Sequence, residues 1–156
     1  MLRIIGKTTI NPILFYSGKI SGYIIWAILI LSLITTRNPI KPSPEAVIAG
    51  IFICIGFVFV IISLINLGRS TRLGIPVENT EFKTSGLYKI SRNPMYLGFN
   101  MLSLSAMLFV HSWIVIALGL YSIFIYHIII LAEEKYLENR FMGKYLEYKK
   151  VVRRYF

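Results

Sequence analysis

The chain has 156 residues, 56% of them hydrophobic and 15% charged, and its mean hydropathy of +0.67 is far above the soluble range. Seventeen Lys and Arg against seven acidic residues give a formal charge of +10, which on so apolar a background points to anionic lipid headgroups and away from nucleic acid. One cysteine, Cys54, excludes an intrachain disulfide, and with only His111 and His127 to add, a metal site has too few Cys and His ligands.

These figures describe an all-α integral membrane protein of one domain, residues 1–156, with about four transmembrane helices and a cytoplasmic C-terminal helical segment. The basic first 19 residues carry no small-residue cleavage site, so the first apolar stretch is expected to remain as an anchor. That first span is expected at about 20–36, with Lys19 and Arg37 snorkelling to the two interfaces. Pro39, Pro42 and Pro44 mark the connection to a second span, 46–67, which holds 22 residues without a charge. A loop, 68–93, follows. It is too long for a plain connector, and Ile75, Val77, Phe82, Leu87, Tyr88 and Ile90 give it apolar anchors, with turns at Gly74-Ile75-Pro76 and Ser85-Gly86. The third span, 94–110, and the fourth, 113–132, form a tight hairpin across His111-Ser112. Nothing breaks the last helix before Gly143, so it is expected to run on through Glu133 and Glu134 into a cytoplasmic tail, 133–156. Within that tail Tyr145, Tyr148, Val152 and Tyr155 recur at steps of three and four among basic residues, the pattern of an interfacial amphipathic helix.

Positive charge sets the expected topology. With both termini inside, 15 basic residues fall on the cytoplasmic side and only Arg37 and Lys41 fall outside.

Two places carry candidate chemistry. Arg92-Asn93-Pro94 reads as a helix start, with Asn93 as N-cap and Pro94 at the first helical position. A positive helix end beside Arg92 at a membrane surface also suits a carboxylate or phosphate, so capping and anion binding both stay open. Tyr88 and Tyr96 flank this start and offer π-faces to a cation, although interfacial tyrosines are commonly belt residues. The second place is Glu133-Glu134. Adjacent helical residues point about 100° apart, so the pair forms two separate handles, one for the bundle interior and one for a loop or water. His127 falls on nearly the same helix face as Glu134 and reads as a packed histidine more than a pocket residue. Asn66 and Asn100 read as interhelical hydrogen-bonding partners.

The ordered series from Thr84 through Gly86-Leu87-Tyr88, Ser91-Arg92-Asn93-Pro94-Met95-Tyr96-Leu97-Gly98 and Glu133-Glu134 to Gly143-Lys144-Tyr145, preceded by Leu67-Gly68-Arg69-Ser70, resembles the isoprenylcysteine carboxyl methyltransferase family and its phospholipid methyltransferase relatives. The resemblance covers about the last 90 residues. It implies a helical membrane enzyme that binds S-adenosylmethionine in a cytoplasmic pocket built from the last helices and the tail. It further implies cofactor contacts from Tyr88, Arg92, Asn93, Pro94, Tyr96, Leu97, Glu133 and Glu134, with Arg92, Glu133 and Glu134 nearest the chemistry. The family's usual triplet is Arg-His-Pro, and Asn93 here replaces the histidine, keeping a donor and an acceptor without an imidazole.

The group chemistry fits such a ligand: Arg92 and helix-start amides for a carboxylate, a glutamate for an ammonium or ribose, and tyrosine faces near a sulfonium. There is no Gly-rich loop of the soluble dinucleotide type. The methyl acceptor is expected to be a lipophilic molecule entering from the bilayer, with anionic lipids as neighbours and no metal. A sterol-type reductase using a nicotinamide cofactor and a small non-enzymatic scaffold are the competing readings. The first calls for a longer chain with more basic residues, and the second leaves the ordered motif unexplained.

Overall fold

Four α-helices make up most of the residues described by the computed structural model, which are 8–35, 43–68 and 82–156. Arg3, Lys7, Arg37, Lys41, Arg69, Arg72, the prolines at 39 and 42 and the turn at Gly74-Ile75-Pro76 lie outside the described residues.

Helix α1 is Pro12–Thr35. It begins at Pro12 and not at the expected Ile20, because the Asn11 side chain accepts the Ile13 amide at 2.9 Å and proline suits the first helical position. Lys19 therefore lies inside the helix and does not snorkel from its end; only 9% of it is exposed. Helix α2, Pro44–Leu67, is capped by Ser43, whose hydroxyl accepts the Ala46 amide at 3.2 Å. After a short 3₁₀ turn, Gly86–Lys89, helix α3 runs from Pro94 to Val110, the expected bounds. It stops at His111, whose left-handed φ of 51° and ψ of 30° turn the chain straight into α4, Trp113–Val151. Met142, with φ 44° and ψ −120°, breaks α4 one residue before the expected Gly143.

Three of the helices, α1, α2 and α4, are long and apolar enough to cross a membrane, and α3 is a shorter apolar helix packed along α2. In the most apolar part of α2 only 17% is buried in protein, so most of that surface is left for lipid. The protein is an integral membrane protein.

Small residues set the helix contacts, as expected where burial from water gives no drive between helices. A Cβ on Gly98 would stand 2.7 Å from the Gly56 carbonyl oxygen and 3.0 Å from the Val60 amide, so α2 and α3 touch backbone to backbone. Ser105 donates to the Ala49 carbonyl at 2.9 Å farther along the same seam. Gly18 and Gly22 let α1 lie on Ile125, Ser122 and Tyr126 of α4, and Ser21 donates to the Leu118 carbonyl at 3.2 Å. The Trp26 indole donates to Ser103 at 3.1 Å and ties α1 to α3. These pairings, antiparallel for α2 with α3 and α1 with α4 and parallel for α1 with α3, bring the start of α1, the end of α2, the start of α3 and residue 133 of α4 to one end of the bundle.

Gly98→Ala should cost about 1–3 kcal/mol, the usual effect of overpacking, because the new methyl meets rigid backbone. Gly50→Ala, with nothing within 4 Å of the added Cβ, should be neutral or stabilising. Thermal melts of both variants in detergent check the contrast.

Candidate functional site

Ser91, Arg92 and Asn93 are drawn out of helical geometry by the C-terminal tail. Ser91 and Arg153 pair as an isolated parallel bridge, with the Arg92 amide donating to the Arg153 carbonyl at 3.0 Å. The Ser91 hydroxyl donates to the Arg154 carbonyl at 3.1 Å. Asn93 has φ −131° and ψ 50° and makes no side-chain cap to α3. Its amide nitrogen donates instead to Glu134 Oε1 at 3.0 Å and to the Arg154 carbonyl at 3.3 Å. Among the described residues, the first turn of α3 is thus left without a side-chain acceptor.

Glu134 is the centre of this network. Arg92 approaches it from two nitrogens, Nε to Oε1 at 3.1 Å and Nη2 to Oε2 at 3.2 Å. Arg154 does the same on Oε2, from Nε at 3.1 Å and Nη2 at 3.0 Å. With Asn93, five hydrogen bonds converge on a residue only 4% exposed. Arg92 Nη1 goes to the Val152 carbonyl at 2.7 Å and the Lys149 carbonyl at 3.5 Å, so one of the five guanidinium N–H groups has no acceptor among the described residues. The hydrogen bonds to Glu134 raise the Arg154 guanidinium above its usual range.

Glu133, one residue earlier, faces a different set of groups. Its Oε1 accepts the Tyr96 hydroxyl at 2.9 Å, and Lys19 of α1 acts on it electrostatically. Tyr96 belongs to an aromatic group with Phe99 and Tyr126, whose ring centroids are 5.6 to 6.1 Å apart. Tyr88 is close enough for Glu133 to act on it too. Burial pushes the Tyr88 hydroxyl well up, and the charges of Tyr148 and Glu133 add to the effect.

The sequence-derived site residues therefore fall into two groups. Arg92, Asn93 and Glu134 bind one another; Tyr88, Tyr96 and Glu133 surround a second point. Pro94 and Leu97 are buried in the first turn of α3, and the Leu97 amide bonds the Asn93 carbonyl at 3.1 Å. His127 packs on the tail, its Nδ1 paired with the Tyr155 hydroxyl. Asn66 does not bond across helices through its Nδ2, which is buried without a partner among the described residues, as is Asn100 Oδ1. The apolar face of the tail helix turns to protein. Tyr145 is 1% exposed, Phe82 stacks on Phe141 and meets Tyr145 and Tyr148 edge-on, and Tyr148 donates to the Tyr88 carbonyl.

Sequence reasoning placed Lys19 and Arg154 at this end of the bundle but did not single out Arg154, Tyr126 or Lys19 as neighbours of the candidate site. The pair Asn11-Pro12 was the available signal for Lys19, since it moves the helix start outward. Arg154 had none, because its partner lies across a kink.

A bundle of apolar helices with a charged, hydrogen-bonded end closed by a helical tail defines a helical membrane protein with a polar site at one membrane face. The model of the phospholipid methyltransferase family matches residues 44–144, and the chain belongs to that family. It is a membrane methyltransferase of the phospholipid type. The match takes in Tyr88 through Leu97 and both glutamates, and leaves α1 and residues 145–156 outside. Comparison with curated proteins and with solved structures gives no match.

Arg92→Ala should lower the stability of the ligand-free protein by about 3 kcal/mol or more, since it strips a buried carboxylate of one partner. Lys149→Ala breaks only the half-exposed pair with Glu138 at 3.0 Å and should cost about 0–1 kcal/mol. Melting temperatures of the two variants should differ accordingly.

Proposed function

We propose that this protein transfers a methyl group from S-adenosylmethionine to a lipid or lipid-like small molecule, on a carboxylate or an amine, at the cytoplasmic membrane face. The observation that carries the reading is Glu133. Tyr96 occupies one of its oxygens, the other accepts no hydrogen bond among the described residues, and the aromatic group of Tyr96, Phe99 and Tyr126 stands beside it. The residues present fit the cofactor. Glu133 offers an acceptor for the ammonium or the ribose hydroxyls, and aromatic faces suit a sulfonium. The uncapped first turn of α3, with the remaining N–H of Arg92, offers donors for the carboxylate. When bound, the cofactor supplies an already activated methyl group.

Glu134 then positions and does not bind: it holds Arg92 and Asn93 in place and fixes the tail over the site. The residues around Glu133 orient the acceptor and exclude water from the cation. A carboxylate acceptor needs no general base. An amine acceptor does, and Glu133 is placed to take its proton. The orientation rests on the 15 to 2 distribution of basic residues, which supports a cytoplasmic placement of the termini and this site. The acceptor enters between helices with its tail in lipid.

Calorimetry with the detergent-solubilised protein should detect binding of S-adenosylmethionine, and methyl-labelled cofactor with a total lipid extract should yield a labelled lipid. Glu133→Gln should weaken cofactor binding about tenfold or more, the loss of a charge-assisted bond of about 1.5–3 kcal/mol. Glu134→Gln should act mainly on melting temperature. A nicotinamide dinucleotide that binds where S-adenosylmethionine does not would transfer the assignment to a reductase.

A further inference from the structure

Lys19 lies on α1, outside the segment matched by the family, and is about nine-tenths buried. Its ammonium sits 4.6 Å from the centre of the Phe15 ring and makes no hydrogen bond or ion pair among the described residues. Glu133 acts on it at a distance without contact. On a side chain so largely buried, an ammonium with three donors and only a π-face for company is costly, and a lysine ordinarily avoids that cost by reaching fully into water. Here it is held inward. Gly18 and Gly22 on either side lock α1 against α4, where added Cβ atoms would lie 2.3 Å from Ile125 and 2.8 Å from the Tyr126 hydroxyl, so the helix cannot turn the lysine outward.

The ammonium shares its surroundings with the groups around Glu133. Phe15 packs in one cluster with Tyr126, Tyr96 and Phe99, so Lys19 from α1, Tyr96 from α3 and Glu133 from α4 approach one region from three helices. That region offers one amine and one carboxyl group, held on different helices. The neighbouring face of α1 is the lipid-facing one, with Ile20, Tyr23 and Ile24 about half exposed.

We propose that Lys19 binds the anionic headgroup oxygens of the methyl acceptor, a phosphate or carboxylate on a lipid, opposite Glu133. The proposal rests on the methyl-transfer reading above and adds the residue that selects the acceptor. A cofactor carboxylate has the same chemistry. The lipid is favoured because Lys19 comes from the helix that borders the bilayer, whereas donors for a cofactor carboxylate are already present at the start of α3. A headgroup carrying both an amine and a phosphate would be matched at both ends.

The test uses the full-length protein in an uncharged detergent with three probes: dioctanoylphosphatidic acid, dioctanoylglycerol and S-adenosylhomocysteine. Phosphatidic acid should bind saturably and raise the melting temperature, and the uncharged diacylglycerol should not. Lys19→Met should weaken phosphatidic acid binding at least tenfold, Lys19→Arg should largely restore it, and both should bind S-adenosylhomocysteine like the parent. Without ligand, Lys19→Met should melt no lower than the parent, since a buried charge has been removed.

Unchanged phosphatidic acid binding in Lys19→Met would overturn the proposal, as would an equal loss from the exposed Lys135→Met, which would signal general attraction to a basic surface. A loss confined to S-adenosylhomocysteine would assign Lys19 to the cofactor and overturn the lipid assignment. A ligand-free Lys19→Met that melts lower and binds all probes like the parent would make the lysine structural. If the parent binds no S-adenosylhomocysteine but retains Lys19-dependent phosphatidic acid binding, the methyl-transfer reading fails and the anion site stands.

Discussion

A single carboxylate, that of Glu134, has to be neutralised away from water, and the end of the bundle that holds the start of α3 is arranged around that requirement. Its hydrogen-bond partners come from the start of α3 and from the tail, segments that no continuous helix connects to it. Leaving a buried carboxylate without partners would cost several kcal/mol, so the arginines, and the backbone that carries them, settle into the positions that satisfy it. The same bonds explain why Asn93 abandons the capping role that its position before Pro94 suggests: its amide is worth more as a donor to a charged oxygen than its carbonyl is as an acceptor for a helix amide.

The neighbouring glutamate gains from this arrangement. Because consecutive helical residues diverge by about 100°, anchoring Glu134 toward the tail directs Glu133 toward α1 and α3. One carboxylate is saturated, and the other has an oxygen that accepts no hydrogen bond among the described residues. The two guanidiniums around Glu134 leave that cluster with an excess of one positive charge beside the uncapped first turn of α3. The local field therefore favours an anion on one side of the site, while Glu133 and the aromatic rings favour a cation on the other.

Much of the fold was legible because its signals are local. Pro94 and the His111-Ser112 break fixed both ends of α3, and the uninterrupted run after Ala132 carried α4 past the glutamates to within one residue of its kink. The divergence of Glu133 and Glu134 followed from helix geometry alone. Which of them is anchored depended on Arg154, twenty positions along the chain and beyond Met142, and no periodicity reaches across a left-handed backbone break. Lys19 was misplaced for a different reason: an apolar-run boundary marks where charge stops, whereas the helix start is set by Asn11 and Pro12. Of the expected helical pattern Tyr145, Tyr148, Val152 and Tyr155, only Tyr145 and Tyr148 lie on a helix, because α4 ends at Val151 and Val152 is extended. Their partner is the segment around Phe82 and Tyr88 and not lipid, a choice that depends on a long-range contact.

The tail is gripped largely through its main chain. Arg92 and Ser91 bond the carbonyls of Val152, Arg153 and Arg154, and carbonyls belong to every residue type. The side chain at 153 is therefore free to drift among homologous proteins, while a one-residue insertion or deletion between Met142 and Arg154 would move every acceptor out of register. Positions 92, 134 and 154 carry the opposite constraint, since a change of charge at one must be answered at the others. In this part of the molecule evolution should conserve spacing and a charge triad more strictly than the identity of the residues between them.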